Sequence, residues 1–549
     1  MSGADRGRLR RLERSIQRLG QEFWSWRAAQ QPRSRDDIPR VERPAGWLPD
    51  WRASAVASFR AQLDAFELAH RGIEVAGAPT ALRVDHALLG SAIARVRFEL
   101  EVLQAWRRQP SFYVDQTLGV VFDLLVEHRA FDEERAGRVL RALAAVREGL
   151  AIARENLKGE AVEPFAGVTV AELGRVDEQV GRLADALAPV FPPELREHLS
   201  QASGDAAGAL VSYRDWLASG ADGLREWEPI GEQGLARFLS EVALVPYVPS
   251  ELLALARLEH ARAVALSAAE ATRPPPTASP SPDVEHLVRR AAEEEERTRA
   301  FYEERGILSQ PAELGHYLMA PMPGYLEPIL WLGVTDDLTS ESRLGENGTR
   351  YLPPVTDDLP YFFAANVLDP SSMIAHEGVH YQQLALSWRH PNPLRRRYYD
   401  SCANEGIAFY NEEMMLQAGY FSETSPTRAA IFSFMRLRAL RVEVDIGLAT
   451  GDMTLAEARD HLAASVPMDL GTAAEEAASF AASPGQGLSY QVGKTQVQRF
   501  LADAAGAQGD GFDLRRFHDG LWRNGNVPIA LQRLELLGPD GEETRPLGS

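Results

Sequence analysis

Apolar residues return every three or four positions through the first 270 residues, a period that fits helices and excludes alternating strands. Segments such as ASAVASFRAQLDAFELAHRGIEVAG, EERAGRVLRALAAVREGLAIARENLKG and AAGALVSYRDWLASGADGLREW are rich in alanine and leucine and tend to be followed by glycine. They predict helix after helix over residues 1–270, a scaffold in which nothing looks catalytic. The stretch ATRPPPTASPSPD (271–283) breaks the pattern with Pro, Ser and Thr. Residues 271–284 therefore read as a domain linker or a long surface loop. Residues 285–549 form a second region, either separate or continuous with the first. Between 325 and 365 the texture changes. YLEPILWLGVTD and TRYLPPV are β-prone and flank GENG, whose Asn347-Gly348 is a hairpin-turn dipeptide. A small antiparallel hairpin is expected there, with helix again to about residue 506. The fold class expected is mainly α: a long-helix scaffold around a deep cleft, with a small β hairpin at its edge.

Composition narrows the function. The chain has 549 residues and a formal net charge of -20, so it has no basic surplus with which to neutralise phosphates, and nucleic acid is not expected as a partner. A single cysteine, Cys402, rules out an internal disulfide framework and any multi-cysteine zinc or iron–sulfur site. The opening MSGADRGRLRRLERSIQRLG lacks an apolar core of the secretory type, and nowhere do about 18 apolar residues run without charge. No membrane partner and a cytoplasmic location are the expectations. Oligomeric state is not legible.

Residues 369–390, DPSSMIAHEGVHYQQLALSWRH, carry the chemistry. Asp369 and Pro370 make a favoured helix start, and the helix is expected to run to about Trp388. His376, Glu377 and His380 form H-E-x-x-H, which puts two imidazoles one turn apart on one face. Two imidazoles so placed can take two corners of a tetrahedral zinc ion, and Glu377 can take a proton from a metal-activated water. A third ligand is needed. The next helix, DSCANEGIAFYNEEMMLQAG (400–419), offers Glu405, and Glu412 two turns on can orient a ligand histidine. A carboxylate third ligand is the glutamate-zincin arrangement.

Five ordered motifs then resemble a known family. HEGVHYQQ, NEGIAFYNEE, VDIGLATGDMTLAEA, SPGQGLSYQVG and FHDGLWRNGNVPIALQRL, between about residues 310 and 537, are similar to the DUF885 group. The group is related in architecture to helical carboxypeptidases and oligopeptidases of the glutamate-zincin type. The resemblance implies a metallopeptidase with His376, His380 and Glu405 as ligands and Glu377 as general base. It also implies that Tyr490 donates a hydrogen bond to the developing oxyanion. Glu412, Gln486, Arg441 and His518 are implied as supporting or substrate-binding residues. The chain departs from the family in four ways: a compact H-E-x-x-H where H-E-x-x-P-G-H is common, Ala449 where histidine is common, Ser479 where arginine is common, and Gly487 for alanine. The changes at 449 and 479 bear on substrate choice and on activity.

Other residues have plainer readings. Arg395, Arg396 and Arg397 are expected to form a solvated loop. Arg436, Arg438 and Arg441 read as helix-surface charge, with one of them placed to face the cleft. Cys402 is expected to pack as a small hydrophobe. The function expected is hydrolysis of an amide or peptide bond in a short peptide or a small peptide-like metabolite, dipeptidase- or carboxypeptidase-like, with one zinc per chain. Fe2+ on the same ligands, supporting an oxidation, is the alternative metal. A catalytically inactive relative that binds a ligand is the other alternative.

Overall fold

The structure, a computed structural model, describes residues 3–35, 41–277, 279–357, 359–466 and 468–538. Helices dominate it from Gly3–Gln30 to Ile529–Leu537, and their ends follow local chemistry. The carboxylates of Asp132, Asp283, Asp400, Asp469 and Asp513 each accept a hydrogen bond from a backbone N–H in the first turn of the helix that follows. Gly451 ends Pro426–Thr450 in the left-handed region, at φ 88°. Two helices, Leu514–Asn524 and Ile529–Leu537, follow the stretch expected to end near 506. Among the described residues, no helix is long and apolar enough to cross a membrane.

One large apolar cluster fills the N-terminal half. It also takes in Tyr351, Leu394, Tyr398, Val527, Leu531 and Leu534 from further along the chain. A second joins Ala263 and Tyr302 to Ala375, Ile407, Phe500 and Trp522. The Pro/Ser-rich segment connects Pro249–Glu270, which packs along Pro426–Thr450, to Val284–Glu304, which packs on Ser371–Trp388. Its far end is fastened where the Ser281 N–H donates to the Val367 carbonyl at 2.9 Å.

Of the expected antiparallel hairpin only a two-residue pairing forms, Asp336–Asp337 against Thr349 and Arg350, within a mixed sheet. Three strands, β1 (Tyr317–Pro321), β2 (Asp336–Asp337) and β3 (Gly348–Leu352), make a sheet in the order β1-β3-β2. β3 runs parallel to β1, with Tyr317 opposite Gly348, and antiparallel to the short β2, with Asp336 opposite Arg350. Most of YLEPILWLG coils instead into a 3-10 helix, Glu327–Leu332, that buries Ile329 and Leu332. Pro328 cannot donate to a ladder, which disfavours a strand there. Asn347 and Gly348 do not turn a hairpin either. The Asn347 side chain accepts from the His316 N–H, and the Gly348 N–H donates to the His316 carbonyl, both at 2.9 Å.

The arginine run 395–397 is also not a solvated loop. Arg395 is buried and pairs with Asp85 at 2.9 Å and Glu535 at 2.7 Å, tying the N-terminal half to the last helix. Arg396 and Arg397 share Glu341. A buried charge needs such partners, and those of Arg395 lie 310 and 140 residues away in sequence.

The tightest crossing lies between Ser401–Gln417, the glutamate helix, and Gln486–Gln508, the tyrosine helix. They touch through glycine. A Cβ on Gly493 would overlap the Cys402 carbonyl and lie 2.7 Å from the Gly406 Cα. Beside it, Lys494 is fully buried, with its Nζ 2.7 Å from Glu413 and 3.3 Å from Glu259. Gly493→Ala is expected to cost about 3 kcal/mol of stability, the upper range for overpacking, because backbone rather than a flexible side chain must move. Urea unfolding measures it; a loss under about 1 kcal/mol contradicts the close crossing.

Candidate metal centre

Ser371–Trp388, the H-E-x-x-H helix, ends at the expected residue. Its start is held by Asp369, whose Oδ1 accepts from the Ser371 N–H at 3.1 Å and from the Ser371 hydroxyl at 2.7 Å. Asn411 staples the glutamate helix to it, donating to the Ala375 carbonyl at 2.8 Å. That contact turns Glu405 and Glu412 towards His376 and His380.

One ligand atom from each of His376, His380 and Glu405 lies within 4.8 Å of the others. Glu405 Oε2 is 3.3 Å from His376 Nε2 and 3.4 Å from His380 Nε2, yet it accepts no well-aligned hydrogen bond. Ligand atoms on a tetrahedral zinc at about 2.0–2.1 Å stand about 3.3 Å apart along each edge. The two contacts therefore have the length of tetrahedron edges and lack the alignment of hydrogen bonds. Electrostatics agree. Burial pushes the Glu405 carboxyl up, but the two imidazoles outweigh it and hold the group well below the usual range. Burial also pushes His376 down, and contacts with Glu405 and Glu412 override it, lifting the imidazole to about 9. The cluster is poised to hold a cation. The donor set fits zinc, and imidazole with carboxylate also suits iron.

The surroundings are ordered on one side. His376 Nδ1 lies 2.6 Å from Glu412 Oε1, so Glu412 fixes the ring with Nε2 facing inward. Arg438 donates to the other Glu412 oxygen at 2.7 Å. Of Arg436, Arg438 and Arg441 on Pro426–Thr450, Arg438 reaches the cluster. Arg436 donates to the Ser465 carbonyl. Arg441 pairs with Glu476, its guanidinium 4.9 Å from the Tyr490 ring centre. The Tyr490 ring lies nearly parallel to His376, with centres 6.4 Å apart. His380 Nδ1 is buried and has no partner among the described residues.

Glu377 points differently, with its side chain 27% exposed against 12% for His376 and 7% for His380. Arg350 on β3 sits 3.1 Å from its Oε2. Burial pushes the Glu377 carboxyl up, and Arg350 together with the His376 and His380 imidazoles outweighs this, holding the group below the usual carboxylate range. Arg350 also contacts Asp336 on β2 at 3.3 Å, and Asp336 accepts from the Tyr317 hydroxyl on β1 at 3.1 Å. Sequence reasoning missed all three, because the non-local pairing of β1 with β3 brings them together.

Gln486 accepts from the Ser401 hydroxyl at 2.9 Å, joining the starts of the glutamate and tyrosine helices. Gly485 before it holds φ at 96° and packs against Phe238 with no room for a Cβ. Asp445, from the VDIG motif, accepts from the Gly485 and Leu488 N–H groups, so that motif anchors the tyrosine helix. Ala449 lies in an apolar cluster with Ile446 and Leu488. Cys402 is buried in the same cluster, as expected. His518 stands apart from the ligands: its ring nitrogens face the Tyr410 hydroxyl and the Ile307 carbonyl, each at 2.9 Å. Neither nitrogen is left for metal or substrate.

This mainly helical body with a small mixed sheet, and a His2Glu cluster between its helices, belongs to a recognisable group. The chain is a member of the family described as "Bacterial protein of unknown function (DUF885)", which matches residues 40–535. Among solved structures it is similar to a "putative lipoprotein of unknown function" from Shewanella oneidensis, at 16% identity and TM-score 0.68. It is also similar to a "putative lipoprotein" from Colwellia psychrerythraea, at 15% identity and TM-score 0.70. Each likeness covers 96% of this chain and 98% of the other. No curated protein matches.

Glu412→Gln is expected to weaken zinc binding by about 10- to 100-fold, the usual effect of losing a ligand's orienting carboxylate. Competition with a chelator measures it, and an unchanged affinity removes Glu412 from that role. Burial lowers His518 to about 4, below the about 6.5 of an unfolded imidazole. The unfolded chain therefore takes up this proton first, so the contribution is complete above about pH 6.5 and is lost as pH falls towards 4. His518→Gln should flatten the fall of stability across that window, read by urea unfolding at stepped pH. His70 and His390, also lowered to about 4, keep contributing in both proteins. An identical slope contradicts the assignment.

Proposed function

We propose that this protein is a zinc-dependent hydrolase that cleaves an amide or peptide bond in a short peptide or a small peptide-like metabolite. The observation that carries the reading is the convergence of His376, His380 and Glu405 at tetrahedral spacing, with Glu377 next to it on the exposed side. Zinc held there supplies a Lewis acid for the scissile carbonyl and lowers the pKa of a water molecule. Glu377, paired with Arg350, takes the proton of the attacking water and passes it to the leaving nitrogen. Glu412 holds His376 in one tautomer while Arg438 holds Glu412. Tyr490 donates to the developing oxyanion, with its half-buried ring held between His376 and Arg441. Access to the reacting bond is from the Glu377 side, the more exposed one.

Elemental mass spectrometry and a peptide-library assay on wild type, Glu405→Ala and Glu377→Gln test the reading together. About one zinc per wild-type chain is expected, lost or sharply weakened in Glu405→Ala and kept in Glu377→Gln, whose turnover falls by at least about 1,000-fold. Full activity in Glu377→Gln contradicts the mechanism. Iron in place of zinc, with an oxygen-dependent product, favours an oxidative enzyme. Zinc that will not bind even when added back leaves a ligand-binding protein.

A further inference from the structure

Three arginines flank the candidate centre, and two of them have no hydrogen-bonding fork to spare. Arg441 commits Nε and Nη2 to Glu476. Arg438 directs Nη1 to Glu412 and holds Nη2 against His376 Nδ1. Arg350 differs. Its Nη1 alone faces all three of its partners, Glu377 at 3.1 Å, Asp336 at 3.3 Å and the Tyr317 hydroxyl at 3.4 Å. Nε and Nη2 have no partner among the described residues, and neither is sealed from solvent. A half-buried guanidinium is thus held in place by one nitrogen, with its remaining donors open beside the base.

We propose that Arg350 binds a carboxylate of the substrate, so that the proposed hydrolase releases the last residue of a short peptide. The inference rests on the hydrolase reading for cleavage, but not for carboxylate binding. A planar guanidinium fork matches the two oxygens of a carboxylate, which a lysine at the same place cannot do. Position sets which carboxylate. Arg350 touches the residue that activates water, so an anion on its fork lies about one residue, ~3.8 Å along a peptide, from the carbon under attack. That carbon gains the hydroxyl of water, its bond to nitrogen breaks, and the released residue's nitrogen takes the proton through Glu377. The carboxylate therefore belongs to the residue that leaves. The α-carboxylate of a C-terminal residue and the side chain of an aspartate share this chemistry; the α-carboxylate is the one every C-terminal residue carries.

Isothermal titration calorimetry on the full chain, zinc-loaded and metal-free, tests this with N-acetyl-phenylalanine, its neutral amide, and N-acetyl-aspartate α-amide. The free acid is expected to bind at least tenfold tighter than the neutral amide. The metal-free protein keeps that preference, so zinc is not what holds the acid. Arg350→Met erases it. Arg350→Lys, which keeps the charge and the packing stem, reduces it about threefold without erasing it. Equal binding of acid and amide, binding of neither at millimolar concentration, or a preference that survives both substitutions overturns the proposal. Should either variant fail to fold, the wild-type comparison still decides. Equally tight binding of the aspartate α-amide overturns the C-terminal assignment. If the acid preference holds but no free-acid peptide is cleaved, the hydrolase reading fails and the carboxylate site stands.

Discussion

Gly406 and Gly493 set how closely the glutamate and tyrosine helices approach, and the candidate centre depends on that approach. Helices separated by ordinary side chains pack about 8–10 Å apart. Here backbone meets backbone, because neither position has room for a Cβ. Glu405 immediately precedes one glycine, and Tyr490 lies three residues before the other. Both side chains are thereby brought to His376 from the same crossing. Separating the helices by an ångström would lengthen the 3.3 Å and 3.4 Å contacts of Glu405 by a comparable amount. The glycines of the N-E-G and Y-Q-V-G motifs thus have a packing reason independent of chemistry, and the chemistry rides on it.

Burying so many charges is costly unless each has a partner. Glu412 has Arg438, Glu476 has Arg441, Glu413 has Lys494 and Arg262, and Asp336 and Glu377 share Arg350. Asp445 is held by the backbone N–H groups of Gly485 and Leu488 instead, and among the described residues Glu405 has neither kind of partner. It pairs with no arginine or lysine among the described residues and faces only imidazoles. The pattern of compensation therefore marks Glu405 as a point where a buried carboxylate lacks both a permanent countercharge and the backbone N–H donors that hold Asp445. It is the point at which two histidine nitrogens also converge. The same arrangement raises the basicity of His376, through Glu405 and Glu412.

What the sequence made legible was what lies within one helix or between consecutive helices. H-E-x-x-H is a statement about one helical turn, and Glu405 and Glu412 follow at the spacing of the next helix; His376, His380, Glu405 and Glu412 meet, and Glu377 lies beside them against Arg350. Contacts between distant segments were not legible. The run 395–397 looked solvated because Asp85, Glu341 and Glu535 are far from it in sequence. The hairpin reading rested on Asn347-Gly348, but that dipeptide spends its polar groups on His316, at the start of a parallel neighbour. His518 carried a motif, and both its nitrogens turned out to be taken by the core.

The small sheet explains why a helical protein keeps strands at this place. A helix directs neighbouring side chains along its own length, so the H-E-x-x-H helix cannot itself set a cation against the outer side of Glu377. Strands project alternate residues across their width, and three adjacent strands can line up one residue each. Tyr317, Arg350 and Asp336 come from β1, β3 and β2 in the order in which the strands lie side by side. The parallel pairing makes this possible, since a hairpin of β2 and β3 alone would leave Asp336 without the Tyr317 hydroxyl. Tyr317 in turn stacks against Tyr381, one turn past His376 and Glu377 on the helix, with ring centres 6.0 Å apart. The sheet is thereby fixed to the helix whose glutamate it faces, and the position of Arg350 follows from the position of the base.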